Sequence, residues 1–382
     1  MTAAPPIPDT TLAARQSLAH GPLGALLLHV ERAHRGLTTW QAIHSQLADS
    51  QPLIDGDEAS LFLGAPAMTY VLHLAAADSA RYAAALDTLD GIVAAHTRSR
   101  LAAAHARIDD GRYTTFAEYD LFRGLTGLGA LLLRRQPDGP ELMRVLAYLV
   151  RLTEPVIGPD GQQRPGWWVG HAPASDKAAT PGGHANAGLA HGITGPLALL
   201  ALAKRRGTAV DGHDIAMARI CRWLDRIRLN DHRGTRWPRW MSEAGQAPAL
   251  PAAPSWCYGT PGLARAQQLA AIALGDEDRQ RMAERALLYC LDDPTQLDQL
   301  TNRGVCHGIA GLFRTVLRVA EDAEVPYVFT DRLPSLRQRF LAVDPPDEPG
   351  FLEGVAGATL AFQSAEPGAE PVTGWDACLL LS

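Results

Sequence analysis

The chain is poor in cysteine, has no membrane-length apolar run and carries no excess of positive charge, and each shortage excludes something. Five cysteines in 382 residues, an odd number, do not make a disulfide framework. Reduced thiols or metal ligands are the readings left. The formal net charge of −6 leaves no basic footprint, which argues against a nucleic-acid partner. Basic runs such as AKRRG at Ala203–Gly207 are short and read as solvated helix ends. The start, MTAAPPIPDTTLAARQ, lacks a charged patch followed by an apolar core, so it is no secretory signal. Residues 1–15 are expected to be a disordered lead-in. The longest nearly apolar run, Gly188–Ala203, is interrupted by His191 and falls short of the roughly 20 residues that a membrane helix needs. A cytoplasmic protein is expected. Alternating β-branched runs are also missing, so strands should contribute little.

What is present is a core and a repeat. Hydrophobic residues make up 47% and charged residues 20%, enough apolar material for a large interior. One pattern recurs: two large or polar residues, Gly-x-x-Gly, then an apolar run. It reads LFRGLTGLGALLL around Gly124, LAHGITGPLALLALA around Gly192 and WCYGTPGLARAQQLA around Gly259. It returns as VCHGIAGLFRTVLRVA around Gly308 and FLEGVAGATLAFQ around Gly354, and a weaker copy, LFLGAPAMTYVLHLA, has Ala67 for its second glycine. The glycines suit positive φ and close backbone packing. The runs that follow have helical spacing, as with Phe313, Val316, Leu317 and Ala320. Between copies lie amphipathic stretches such as Gly275–Asp293. Six pairs of apolar inner and amphipathic outer helices predict an all-α fold, an α/α toroid forming a single domain over residues 1–382. Two long connections, Pro155–Gly188 and Asp231–Pro254, are expected to be irregular rims or lids.

If the turns are equivalent, the residue before each first glycine occupies one register: Leu63, Arg123, His191, Tyr258, His307 and Glu353. One position earlier stand Phe62, Phe122, Ala190, Cys257, Cys306 and Leu352. Chemically capable side chains therefore accumulate at one level. Two thiolates and one imidazole, Cys257, Cys306 and His307, suit Zn²⁺, and three ligands with an open position are the pattern of a catalytic zinc. His191 is an acid/base candidate by shared register. Trp256 and Tyr258 read as walls of the substrate pocket. Cys221, Cys290 and Cys378 read as small core hydrophobes. Asp120 could cap the next helix, and Glu353 could be a charge favoured by a helix dipole.

These residues resemble the lanthionine synthetase C-like family, the cyclases of lanthipeptide biosynthesis. The resemblance runs from about residue 20 to the end and rests on YDLFRGLTGLG, GLAHGITGPLALL, WCYGTPGLARA, CHGIAGL and FLEGVAG…GWDACLLL. It implies a zinc-dependent addition of a precursor-peptide cysteine thiol to dehydroalanine or dehydrobutyrine, giving a thioether ring. It also implies His191 as the acid/base group, with Asp120 as its partner. A chain of this kind takes a dehydrated precursor peptide, leader and core, from a dehydratase partner, and meets a membrane only through a biosynthetic complex.

The family's arginine shortly before Trp-Cys is missing, because Leu250–Ser255 reads LPAAPS; Arg123 and Arg303 are the candidates to replace it. A small β insertion, if present, has Pro155–Gly188 as its host. Three other readings compete: a relative that adds glutathione to dehydrated proteins, a zinc-bearing scaffold of a peptide-modifying complex without chemistry, and a toroidal glycosidase using Asp120 and Glu353. The last has no carboxylate spacing in its favour.

Overall fold

The computed structural model describes residues 11–50, 52–77, 79–158, 160–172, 182–242, 252–364 and 370–382. The chain divides into two compact units. One is continuous over residues 97–294. The other is split, joining residues 6–96 to residues 295–382.

In the split unit the N-terminal segment forms α1 (Thr11–Arg15), α2 (Pro22–His34), α3 (Trp40–Ala48) and α4 (Ala65–Ala76). Helix α5 (Ala83–Asp109) carries the chain into the continuous unit, which contains α6 (Phe116–Tyr119), α7 (Leu125–Arg135) and α8 (Pro140–Leu152). Strands β1 (Val156–Ile157), β2 (Gln163–Arg164) and β3 (His184–Asn186) precede α9 (Thr194–Arg205) and α10 (His213–Ile227). Strands β4 (Leu229–Asp231), β5 (Gly234–Arg236) and β6 (Trp240–Ser242) precede α11 (Thr260–Leu274) and α12 (Glu277–Leu291). The chain returns through α13 (Pro294–Leu297) to α14 (Ile309–Asp322), α15 (Tyr327–Thr330), α16 (Leu333–Ala342) and α17 (Val355–Gln363), ending in a 3-10 helix at Trp375–Leu379.

Two kinds of helix alternate. Those led by a glycine turn are buried along most of their length; in α9 every residue from Thr194 to Ala203 is buried. Each fully buried leucine there contributes about 2 kcal/mol of transfer free energy. Helix α10, by contrast, buries Ala216, Met217, Ile220, Cys221, Trp223, Leu224 and Ile227 at spacings of one, three and four, and turns its charged residues outward.

The turns make the repeat physical. Backbone amides of one turn donate to the carbonyl two positions before the first glycine of the next. In the continuous unit Leu121 donates to Ala190 (3.1 Å), and Leu189 and Ala190 donate to Cys257 (2.9 and 3.1 Å). In the split unit Val305 and Cys306 donate to Leu352 (2.6 and 3.0 Å), Phe351 and Leu352 to Ala19 (3.0 and 2.8 Å), and Leu18 to Phe62 (3.0 Å). Ala19 belongs to a seventh copy, LAHGPLGALLL at Leu18–Leu28, beyond the six expected from the sequence.

The glycines are needed for close approach more than for positive φ. Gly124, Gly259, Gly308 and Gly354 are extended, with φ between −91° and −109°. A methyl group at Gly262 would lie 2.0 Å from the Trp256 carbonyl oxygen, and one at Gly357 1.8 Å from that of Phe351. Gly64 alone among the turn-leading glycines of the copies read from the sequence has a positive φ, +72°, and it leads the atypical copy.

Two expectations need correction. The segment 155–188 is not wholly irregular: β1 pairs with β2 antiparallel, and β3 pairs with β6, aligning Asn186 with Trp240. The pair β3–β6 fastens this connection to the second one, which also supplies part of the β4–β5 hairpin. At the start, residues 11–15 are helical, with Ala13 buried; residues 1–10 lie outside the described residues.

At the C-terminus, Asp376 is buried between Arg314 (2.8 Å) and Arg318 (2.6 Å). Burial works to raise its carboxyl, but the two guanidinium groups outweigh burial and hold it well below the usual carboxylate range. Tyr70 of α4 donates to the Trp375 carbonyl at 2.8 Å, so the tail is bonded to both halves of the split unit.

Candidate active site

In the continuous unit, α6 ends at Asp120 and the next turn opens α7. The Asp120 carboxylate is fully buried and serves both readings drawn from the sequence. Its Oδ1 accepts from the amides of Arg123 (2.7 Å) and Gly124 (3.0 Å), satisfying donors at the start of α7. Its Oδ2 lies 2.6 Å from His191 Nδ1. A carboxylate only accepts, so Nδ1 carries the proton and Nε2 is the ring's reactive nitrogen.

The imidazole stacks on Phe122, with centroids 4.8 Å apart, and lies 6.1 Å from the Tyr258 ring. Phe122 also lies 6.3 Å from buried Trp256. Tyr119 donates to the His191 carbonyl at 3.3 Å. Burial, aided by Asp120, pushes the Tyr119 hydroxyl well above its ordinary value, so it stays protonated. Of the two residues expected as walls, Tyr258 lies beside His191 and Trp256 lies beside Phe122. Cys257 is on the next turn, with Ser255 Oγ 3.5 Å from its sulfur.

In the split unit, Cys306 and His307 share a turn, and His307 Nδ1 is 3.2 Å from Glu353 Oε1. Both histidines thus have a carboxylate near Nδ1, and at His191 the hydrogen bond fixes the imidazole's tautomer and direction. Asp120 and Glu353, the carboxylates of the glycosidase reading, each lie beside a histidine.

All five cysteines are free. Burial pushes the Cys221 and Cys290 thiols up to about 11 and about 12, as suits core positions. Cys378 is also buried. Cys257, in the continuous unit, and Cys306 and His307, in the split unit, are donors of the kinds that hold a metal ion. Two sulfurs and an imidazole match the preferences of zinc.

Three features escaped the sequence reading. Asn186 Oδ1 accepts from Gly188 N and Asn302 Oδ1 from Gly304 N, both at 2.8 Å. The same Asn turn therefore sets His191 and His307, and its signal, N-x-G-x-x-H-G, occurs at 186–192 and 302–308. Ser255 is marked only by its place two residues before Cys257. His20, in the seventh copy, occupies the register of His191 within an identical LAHG. Of the two arginines expected to replace the missing one, Arg303 bonds the carbonyls of Val343 and Leu341 and lies over Phe340, while the Arg123 side chain is exposed.

Similarity to known proteins agrees with this layout. Nisin cyclase, a solved structure, resembles the chain with a TM-score of 0.80 at 21% identity, covering 96% of this chain and 92% of that one. The fold class is therefore the helical toroid expected from the glycine repeats. In sequence, the chain is 24% identical over 346 residues to the nisin biosynthesis protein NisC of Lactococcus lactis subsp. lactis, spanning 84% of this chain and 77% of that protein. Residues 13–380 match the family model of the lanthionine synthetase C-like proteins, and the chain belongs to that family. Among the described residues no helix is long and apolar enough to cross a membrane.

Proposed function

We propose that this protein is a zinc-dependent lanthipeptide cyclase, acting as one cytoplasmic domain on a dehydrated precursor peptide delivered by a dehydratase. The observation that carries the reading is the 2.6 Å contact of His191 with buried Asp120, on the turn register that also bears Cys257, Cys306 and His307. These last three would hold the metal, with Glu353 orienting His307 and Ser255 beside the Cys257 sulfur. A bound zinc ion supplies the positive charge that turns a peptide thiol into a thiolate near neutral pH.

The protein's own groups do the rest. Attack of the peptide sulfur on the β-carbon forms a C–S bond and sends the π electrons onto the α-carbon and its carbonyl oxygen. His191 Nε2 takes up the proton that the thiol loses and then delivers it to the α-carbon, while Asp120, bonded at Nδ1, stabilises the imidazolium formed in between. Phe122, Trp256 and Tyr258 hold the reacting segment against the imidazole and exclude water. The net change is addition of S–H across C=C, with no oxidant or reductant required.

The test is elemental analysis of the purified protein beside Cys306→Ala, followed by a cyclisation assay on dehydrated peptide. About one zinc per chain, lost in the variant, together with ring closure by the wild type, is the expected result. A metal-replete wild type without zinc, or without ring closure, overturns the proposal.

A further inference from the structure

We infer that Arg239 is a catalytic residue of this site, donating from its guanidinium to the carbonyl oxygen that gains negative charge as the thioether forms; the inference rests on the cyclase reading above. Addition to a dehydroamino acid produces an enolate, and its oxygen needs a positive, preorganised donor where the charge develops.

The sequence around Trp256 provides no such cation, but the connection before it does. Three ties bring Arg239 to the His191 loop. Its carbonyl accepts from Ala187 N at 2.8 Å. The following residue, Trp240, pairs with Asn186, the residue that sets the His191 turn. Its guanidinium lies over the Tyr258 ring, 5.9 Å from the centroid, and that ring is the neighbour of the His191 imidazole. Tyr258 in turn packs on Gly188, where a methyl group would meet its ring at 2.6 Å, so the aromatic platform is fixed from below.

Charge separates Arg239 from the arginines held in ion pairs. Arg164, Arg236, Arg279, Arg314 and Arg318 are each paired with a carboxylate. Arg239 has no carboxylate within 4 Å among the described residues. A cation held over an aromatic ring, with no carboxylate among the described residues to claim it, suits an oxyanion that exists only during reaction. In the balanced step, the π electrons displaced by sulfur rest on the carbonyl oxygen against Arg239. They then return to the α-carbon as His191 supplies the proton.

The experiment uses full-length, zinc-loaded protein and a synthetic peptide bearing one dehydroalanine and one cysteine. Wild type, Arg239→Ala, Arg239→Lys and Arg222→Ala are compared by mass spectrometry for kcat and KM, with zinc content and thermal midpoint measured alongside. Arg239→Ala should lower kcat by about 10²–10³, the usual loss for one oxyanion donor, at unchanged zinc content. Arg239→Lys should recover about tenfold of that, and Arg222→Ala, on the exposed face of α10, should match wild type. Wild-type kcat in Arg239→Ala overturns the inference alone. So does an equal loss in the Ala and Lys variants accompanied by a lowered thermal midpoint, which marks a structural role. A wild type that leaves the peptide unchanged overturns the cyclase reading, and this inference with it.

Discussion

Replacing Asp120 separates the two tasks of its carboxylate. Oδ1 caps α7 through the amides of Arg123 and Gly124, and Oδ2 holds His191 Nδ1 at 2.6 Å. In Asp120→Asn the amide oxygen can keep the cap, and its NH₂ group then faces Nδ1. The imidazole must accept there, which moves its proton to Nε2 and removes the base from the site. Stability should change by less than about 1 kcal/mol, because the cap bonds survive. Asp120→Ala loses the cap as well and should cost about 1–2 kcal/mol. Both variants should lose about 10²–10⁴ in kcat, the range for removing general acid–base function or inverting a catalytic tautomer. At about 1.4 kcal/mol per decade, that is roughly 3–6 kcal/mol of barrier. Denaturant unfolding reads the first quantity, and ring closure followed by alkylation of unreacted thiols reads the second. An Asn variant with wild-type kcat would show Asp120 to be a helix cap and nothing more. Asp120→Asn combined with His191→Ala should be no slower than His191→Ala alone, since the two act as a unit.

Two further predictions concern the frame around the site. Gly262→Ala sets a methyl 2.0 Å from the Trp256 carbonyl oxygen and should destabilise by about 2 kcal/mol or more, whereas Gly91→Ala, in α5 with open space around it, should stabilise by about 0.5–1 kcal/mol. Thermal melts of the two variants that shift in the same direction refute the close-packing account. Burial lowers the pKa of His184 to about 4, against about 6.5 unfolded. As pH falls from 6.5 towards 4 the unfolded chain binds a proton that the native chain refuses, so native stability drops across that window by about 3 kcal/mol. His184→Gln should remove this part of the slope, and a wild-type-minus-variant stability difference that is the same at pH 7 and pH 4.5 contradicts it.

The fold class and much of the candidate site were legible because both ride on the same short motif. Gly-x-x-Gly followed by an apolar run marks where one helix begins, and the two residues before it mark one level of the molecule. His191, Tyr258, Cys257, Cys306, His307 and Glu353 could thus be aligned without coordinates. The pairing of Asp120 with His191 spans 71 residues, and no spacing rule connects them. The seventh copy carries the same pattern in LAHGPLG at 18–24, just after the lead-in expected at residues 1–15. Strands of two or three residues are too short to show alternation, so β3 and β6 left no trace although they anchor Arg239. The glycines had a second explanation, close approach to a carbonyl six residues upstream, which sequence cannot separate from the need for positive φ.

The split of one unit across the chain also sets an order of events during synthesis. Residues 97–294 emerge as a continuous unit and can complete their contacts with one another. The first turn of the split unit cannot. Ala19 waits for Phe351 and Leu352, α2 waits for α17, and Tyr70 waits for Trp375. At about 5–20 residues per second the N-terminal segment spends roughly 15–60 s without these partners. During that time the apolar faces of α2 and α4, buried in the finished protein, are open to other contacts. Residues 18–76 are therefore exposed while the middle of the chain is made, and residues 351–379 are the ones that later cover them.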